Sequence, residues 1–209
     1  MSDEQALLKE SAEGWLARSY QFDQWRTLTE RTPPFSEENW RTFAEMGWLG
    51  LAMPERLGGL GFGALDRMVL AEAFGYRLVA EPYLSTVVLG GGILLASRDE
   101  AQQGEWLPRI AEGEAKLAFA FAERKNRFSL SLIETRASKS EDGYLISGEK
   151  ILMLDAPSSD RIIVSARTSG SPSDKDGCTL FLVDPKAQGV SMRSYRTVDD
   201  RVAADVVFA

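Results

Sequence analysis

Few residues in this chain could do chemistry. It has no histidine, so imidazole general bases, Ser-His pairs and His-ligated metals are excluded for the chain acting alone. Proton chemistry would have to come from carboxylate, Lys, Tyr or a group on another chain. The single cysteine, Cys178, stands in the run CTLFLVD, where alternate positions face a core. A small buried filler is therefore favoured over a nucleophile, and no internal disulfide forms. The stretch Gly58-Gly59-Leu60-Gly61-Phe62-Gly63 follows the turn-like MPERL, not a strand, and lacks G-x-G-x-x-G spacing, which favours tight turns between helices over a phosphate cradle. Glu123, at a strand end, is expected to accept backbone or Arg hydrogen bonds rather than to catalyse. Glu72 lies beside an apolar helical stripe and is expected to pair with a cation. Trp15, Trp25, Trp40, Trp48 and Trp106 all fall in the first half, where core packing outweighs ligand stacking.

With 209 residues, 44% hydrophobic and 10% aromatic, the chain is long and apolar enough to bury a core. The formal charge of −7, from 24 basic and 31 acidic groups, supplies no field that gathers phosphate backbones or anionic lipid, which argues against nucleic-acid and membrane partners. The start, MSDEQALLKE, has no apolar signal region, and no run of about 18 apolar residues occurs. The expected location is cytoplasmic.

Two halves with different periods must position these residues. Up to about Glu114 the spacing is helical: Leu65, Met68, Val69, Ala73, Tyr76 and Val79 fall near one stripe. Ser36, behind Pro33-Pro34 and ahead of Glu37 and Glu38, predicts a helix start, with the stop near Gly47. A further helix is predicted from about Leu84 to Ser97, with Gly90, Gly91 and Gly92 implying close packing or a break. Asp99 predicts a helix cap, the Leu107-Pro108 step an interruption, and Gly113 a stop. Beyond Ala115 come short β-rich runs: KLAFAFA, IETRAS, GYLIS, KILML, RIIVSART, CTLFLVD, VSMRS and ADVVFA, with Glu141-Asp142-Gly143 as a turn. Residues 169–177, SGSPSDKDG, read as an exposed polar loop without chemistry. The fold class is α+β: an all-α domain over 1–114, then an antiparallel β-barrel or sandwich over 115–209, with no βαβ units.

Several strings occur in one order. WRTFAEMGWLGLAMPERLGGLGFGALDRMVLAEAFG, LPRIAEGEAKLAFAFAE, ISGEK and GCTLFLVDPKAQGVSM together resemble the N-terminal helical and middle β-domains of the acyl-CoA dehydrogenases. The likeness runs from about Phe35 to Ala209. It implies an FAD-dependent oxidoreductase that removes hydrogens from Cα and Cβ of an acyl-CoA thioester. It also implies an oligomer, either of like chains or with another acyl-CoA dehydrogenase subunit. Three readings remain open: a dehydrogenase, a flavin-poor partner subunit of a heteromeric enzyme, or a flavin monooxygenase or nitroalkane oxidase of the same fold.

The resemblance also implies a flavin-ring site. Glu123, Ala137 and Lys150 match the family's motif Glu, Ala and Lys. In that register the cofactor-binding positions are Phe119, Phe121, Ala122, Arg127, Phe128, Leu152, Met153 and Leu154. Ala122 stands where Thr is usual, Arg127 and Phe128 where Gly and Ser are usual, Leu152 for Trp or Phe and Leu154 for Thr or Ser. Two lost hydroxyl donors forfeit roughly 0.5 to 1.5 kcal/mol each. Segment 79–97 followed by EWLPRIAEGE is similar to bacterial members acting on dicarboxylic, aromatic or sterol side-chain thioesters, some of them heteromeric with one flavin-poor subunit. The family's catalytic glutamate and C-terminal helical bundle are expected beyond Ala209, so the chain by itself is expected to be inactive. An edge strand left open at Ala209 is expected to expose apolar surface.

Overall fold

The first half is helical because its helix ends carry the groups that helix ends need. In the computed structural model, which describes residues 1–126, 129–141 and 143–209, the Ser2 hydroxyl accepts from Gln5 N at the start of α1 (Asp3–Ser19). After α2 (Phe22–Thr29), the Ser36 hydroxyl accepts from Asn39 N at 3.2 Å and opens α3 (Glu37–Glu45). Gly47 then turns the chain with φ +73°, a left-handed conformation in which a Cβ is costly. Asp99 caps α6 (Glu100–Ala111) through Gln102 N, and Gly113, at φ +75°, follows its end. The chain divides into two units, Met1–Ala115 and Lys116–Ala209.

Aromatic rings fill the core of the helical unit. Phe43 lies 5.2 Å from Trp48 and 5.0 Å from Phe74, and Trp15 meets both Phe43 and Trp48 edge-on. Trp40, Trp48 and Trp106 are buried, whereas Trp25 is half-buried against Phe22. These contacts turn α4 (Ala64–Tyr76) away from the expected stripe. Val69, Leu70, Ala73 and Phe74 are buried, while Leu65, Met68 and Tyr76 are 63%, 60% and 83% exposed. The reason is Phe74, which stacks on Phe43 and draws its own face inward. Glu72 is exposed and forms no ion pair among the described residues.

Two helical expectations change. The predicted helix from Leu84 is a π-helix, Leu84–Gly91, followed by α5 (Gly92–Ala96). Close packing applies at Gly91, where a Cβ would lie 3.3 Å from Met53 Cε, but not at Gly92, which faces open space. Pro108 does not interrupt α6, which continues to Ala111. A helix-interior proline costs about 3 kcal/mol. Trp106, Leu107 and Ile110 are buried in the same turns, and each such side chain contributes roughly 1.5 to 3 kcal/mol, so packing wins.

The second unit is a seven-stranded sheet. Its strands are β1 (Leu117–Ala120), β2 (Arg136–Ser140), β3 (Gly143–Leu154), β4 (Arg161–Arg167), β5 (Cys178–Val183), β6 (Val190–Arg196) and β7 (Val202–Phe208). Their order is β1-β4-β2-β3-β7-β6, with β5 paired to β4. The sheet is open and mixed rather than a closed antiparallel barrel. β1 runs parallel to β4, and β2 meets β4 in parallel at Arg136 and Arg167. The antiparallel pair β2–β3 lies between β1 and β4 in the chain, and so long a connection lets β4 return alongside β1 in the same direction. The runs GYLIS and KILML form one strand, β3. Asp142, of the predicted turn, lies outside the described residues. Ala118, Ala120, Met153, Ile162, Val164, Val206 and Phe208 form the core.

Three further readings change in this unit. Cys178 is exposed, not buried, because β5 pairs on one side only and its first half faces solvent. The last strand, β7, lies between β3 and β6, so the chain does not end on an open edge. Exposed apolar side chains do occur, at Tyr144, Leu145, Leu180 and Val207. The polar loop 169–177 also has a structural role. Arg167, 1% exposed, donates to the carbonyls of Pro172, Asp174 and Asp176 and to that of Ser131.

Candidate functional site

Glu123 follows β1 and gathers three other segments. Its carboxylate accepts from Lys150 Nζ at 2.8 Å, from Glu134 N at 2.7 Å and from Thr135 N at 3.1 Å. Lys150, 0% exposed, also donates to Ser165 Oγ at 2.9 Å, and that hydroxyl donates to the Ala120 carbonyl. One buried ion pair thus ties β1, the approach to β2, β3 and β4 together. Burial pushes the Glu123 carboxyl up, but Lys150 and the bonds from Glu134 and Thr135 outweigh it and hold the group below the ordinary glutamate value. These three bonds all serve the scaffold. The expected structural role holds, with Lys and backbone N–H groups as the partners in place of Arg.

The cofactor-binding positions implied by the resemblance do not share one surface. Phe119 and Phe121, both half-buried, stack with centroids 5.0 Å apart. The Ala122 carbonyl accepts from Ile151 N at 2.8 Å, which brings the end of this segment against β3. On β3 the pairing with β7 shifts register between Lys150 and Met153. Leu152 sits in that irregularity with φ +53° and is 51% exposed. Met153 is buried in the core, so its side chain is not available at the cofactor-binding position the resemblance implied, whereas Leu152, its neighbour along the strand, is exposed. Leu154 is half-buried and pairs with Ala203. Arg127 and Phe128 lie outside the described residues.

Sequence reasoning missed Asp205, whose signal was a lone carboxylate in the apolar run ADVVFA. Asp205 Oδ1 accepts from Leu152 N at 3.3 Å and from the Tyr195 hydroxyl at 2.9 Å, and Oδ2 from Arg193 at 2.8 Å. Burial pushes its carboxyl up, but Arg193, Tyr195 and the Leu152 N–H outweigh that and hold it below the ordinary aspartate value. Asp205 therefore holds the Leu152 irregularity in place. A non-glycine residue in the left-handed region costs roughly 1 to 2 kcal/mol, and Leu152 is half exposed, so it has little packing to lose. Leu152→Gly is expected to raise stability by about 1 kcal/mol, read as a higher Tm. An unchanged or lower Tm would show that the backbone there is unstrained.

Comparison with known proteins agrees with this layout. The family model for the acyl-CoA dehydrogenase N-terminal domain matches residues 2–114, and that for the middle domain matches residues 118–208. The chain belongs to the acyl-CoA dehydrogenase family. Among curated relatives, the 3-(aryl)acrylate reductase of Clostridium sporogenes is 35% identical over 165 residues, which cover 78% of this chain and 43% of the relative. The caffeyl-CoA reductase-Etf complex subunit CarC of Acetobacterium woodii is 34% identical, with the same coverage. Among solved structures, the ChsE4-ChsE5 complex of Mycobacterium tuberculosis superposes with a TM-score of 0.87 at 25% identity, covering 100% of this chain and 54% of that one. The chain thus spans about half the length of these relatives.

Family membership makes FAD the cofactor to test against these residues. A flavin ring needs donors along its polar edge and a flat apolar wall. Phe119 and Phe121 supply a wall. Phe119, Phe121, Ala122, Leu152 and Leu154 have no side-chain hydrogen-bonding atom, the Met153 thioether is buried in the core, and the Leu152 N–H is taken by Asp205. At the described positions no side chain offers a donor to the polar edge of the ring. No helix among the described residues is long and apolar enough to cross a membrane.

Proposed function

We propose that this chain is the flavin-poor part of a heteromeric acyl-CoA dehydrogenase, which helps to shape the pocket for an acyl-CoA thioester while a partner of the same family carries the flavin. One observation carries this reading: at the register positions for the ring, the described residues present apolar side chains, and the Leu152 N–H and the Ala122 carbonyl are already bonded within the protein. The names of the relatives support the partner half, since one is a subunit of an Etf complex and another structure is a complex of two differently named chains. The thioester is supported by family and by the relative named for caffeyl-CoA. This chain's contribution is positional: the Glu123–Lys150 pair ties the end of β1 to β3, and Asp205 ties β3 to β6.

The second reading, an FAD-dependent dehydrogenase in its own right, is favoured by the half-buried Phe119–Phe121 stack. Purification separates the two. The chain is expected to be colourless and to stay so after incubation with FAD and gel filtration, whereas co-expression with a same-family neighbour yields a complex with a flavin spectrum. A flavin spectrum on the isolated chain would overturn the proposal in favour of the dehydrogenase reading.

A further inference from the structure

α4 buries one face in the helical core, through Val69, Leu70, Ala73 and Phe74, and leaves the other to solvent. On the solvent side Leu65, Met68, Glu72 and Tyr76 are all exposed. Their spacing of three, four and four residues places them on one stripe at about 100° per residue. Ala71 and Gly75, beside that stripe, are exposed as well, and a Cβ added at Gly75 would meet nothing within 4 Å. Such small side chains leave room for a second helix to approach closely.

Two features of this face run against what a solvated helix needs. Leu78, just past the end of α4, has φ +56° and is 51% exposed. Its N–H donates to the Gly75 carbonyl and that of Val79 to the Phe74 carbonyl, a helix ending whose left-handed position usually holds glycine. A leucine there carries backbone strain and gains little burial in return. Glu72 stands among the apolar side chains and forms no ion pair among the described residues. The helical unit around it holds 18 of the chain's 31 acidic groups but 10 of its 24 basic ones, so its field favours a basic visitor.

We propose that the exposed face of α4 docks an amphipathic helix of a partner, whose apolar residues pack on Leu65, Met68 and Tyr76 and whose one lysine or arginine meets Glu72. The contact is helix on helix, and a single polar pair within an apolar seam fixes its register. A second copy of this chain does not supply that chemistry. Parallel α4 helices would set Glu72 against Glu72. An antiparallel pair with Leu65 over Tyr76 would lay each Glu72 beside Met68, a carboxylate covered without a cation. The docking site is independent of the flavin and holds whether or not the chain binds FAD.

Phage-displayed helices of about 18 residues, randomised on one face, test it by selection on the whole chain. The Met68→Lys chain serves as counter-selection, because it removes the central apolar contact and offers Glu72 a cation four residues away on its own helix. Enriched peptides are expected to carry Leu, Ile or Met at intervals of three and four with a Lys or Arg among them. As synthetic peptides, followed by fluorescence anisotropy, they are expected to bind Glu72→Gln roughly tenfold or more weakly than wild type. Replacing their basic residue by Glu is expected to restore binding to Glu72→Lys. The substituted side chains are exposed, so each variant is expected to keep the wild-type Tm. No enrichment, enriched helices without a basic residue, or equal binding to Met68→Lys would overturn the docking site. So would a wild-type chain that is dimeric by light scattering and monomeric as Met68→Lys, which would give the face to a second copy.

Discussion

Replacing Lys150 by Met is expected to destabilise the β unit by about 3 to 5 kcal/mol, because it leaves the Glu123 carboxylate buried without its cation. The side chains of Lys150 and Glu123 are 0% and 4% exposed, so solvent does little to screen the loss. The double variant Glu123→Gln/Lys150→Met is expected to recover part of the stability, since no charge remains to be paired, although the single amide oxygen replaces only one of the two oxygens that accept from Glu134 N and Thr135 N. Urea unfolding followed by circular dichroism measures both. A Lys150→Met protein within about 1 kcal/mol of wild type would show that Glu123 is solvated or protonated and that the pair does not organise the unit. The pH dependence has a definite sign. The Glu123 carboxyl is held below its ordinary value, so its contribution is present above the unfolded-state pKa and is lost as pH falls through the folded one. Acid should weaken the β unit by this route.

Gly59→Ala carries the second large expected effect. A Cβ there would sit 2.1 Å from the Met53 carbonyl oxygen and 2.4 Å from its carbon. Both obstacles are backbone, in a turn pinned by Gly59 N to Pro54 O at 3.2 Å and Gly61 N to Met53 O at 2.8 Å. Relief requires moving the turn and breaking those bonds, so a loss of about 3 kcal/mol or more is expected. Gly104→Ala is the control. It lies in α6 with nothing within 4 Å of its added Cβ and is expected to gain roughly 1 kcal/mol in helix propensity. Tryptophan-monitored unfolding of the two variants should therefore move in opposite directions. Equal behaviour would mean that the loop containing Gly58, Gly59 and Gly61 is loose enough to absorb a methyl group, contrary to its reading as a set of tight turns.

Much of the fold was legible because its signals are local. Ser36, Asp99, Gly47 and Gly113 mark helix ends through groups within a few residues of themselves. The switch from helical spacing to alternating β-runs near Ala115 needs only a short window. The candidate site was legible in part. Glu123 and Lys150 could be aligned with family positions by spacing, but their contact at 2.8 Å spans 27 residues of chain, as does none of the local signals. Asp205 escaped notice because its partners, Leu152, Arg193 and Tyr195, belong to β3 and β6, and a carboxylate in an apolar strand does not announce which neighbours it serves.

What the order of residues determined by itself was the two-part α+β plan, the helix limits set by capping groups, the family, and the absence of any imidazole. Each rests on residue type or on periodicity along the chain. The tertiary structure alone decided which face of α4 is buried, that β1 and β4 run parallel, that Cys178 is exposed, and that Met153 rather than Leu152 enters the core. Those outcomes depend on which segments meet in space: Phe74 finding Phe43, and β3 finding β7 out of step. Periodicity says that a strand has two faces, but only its neighbours decide which face is the core.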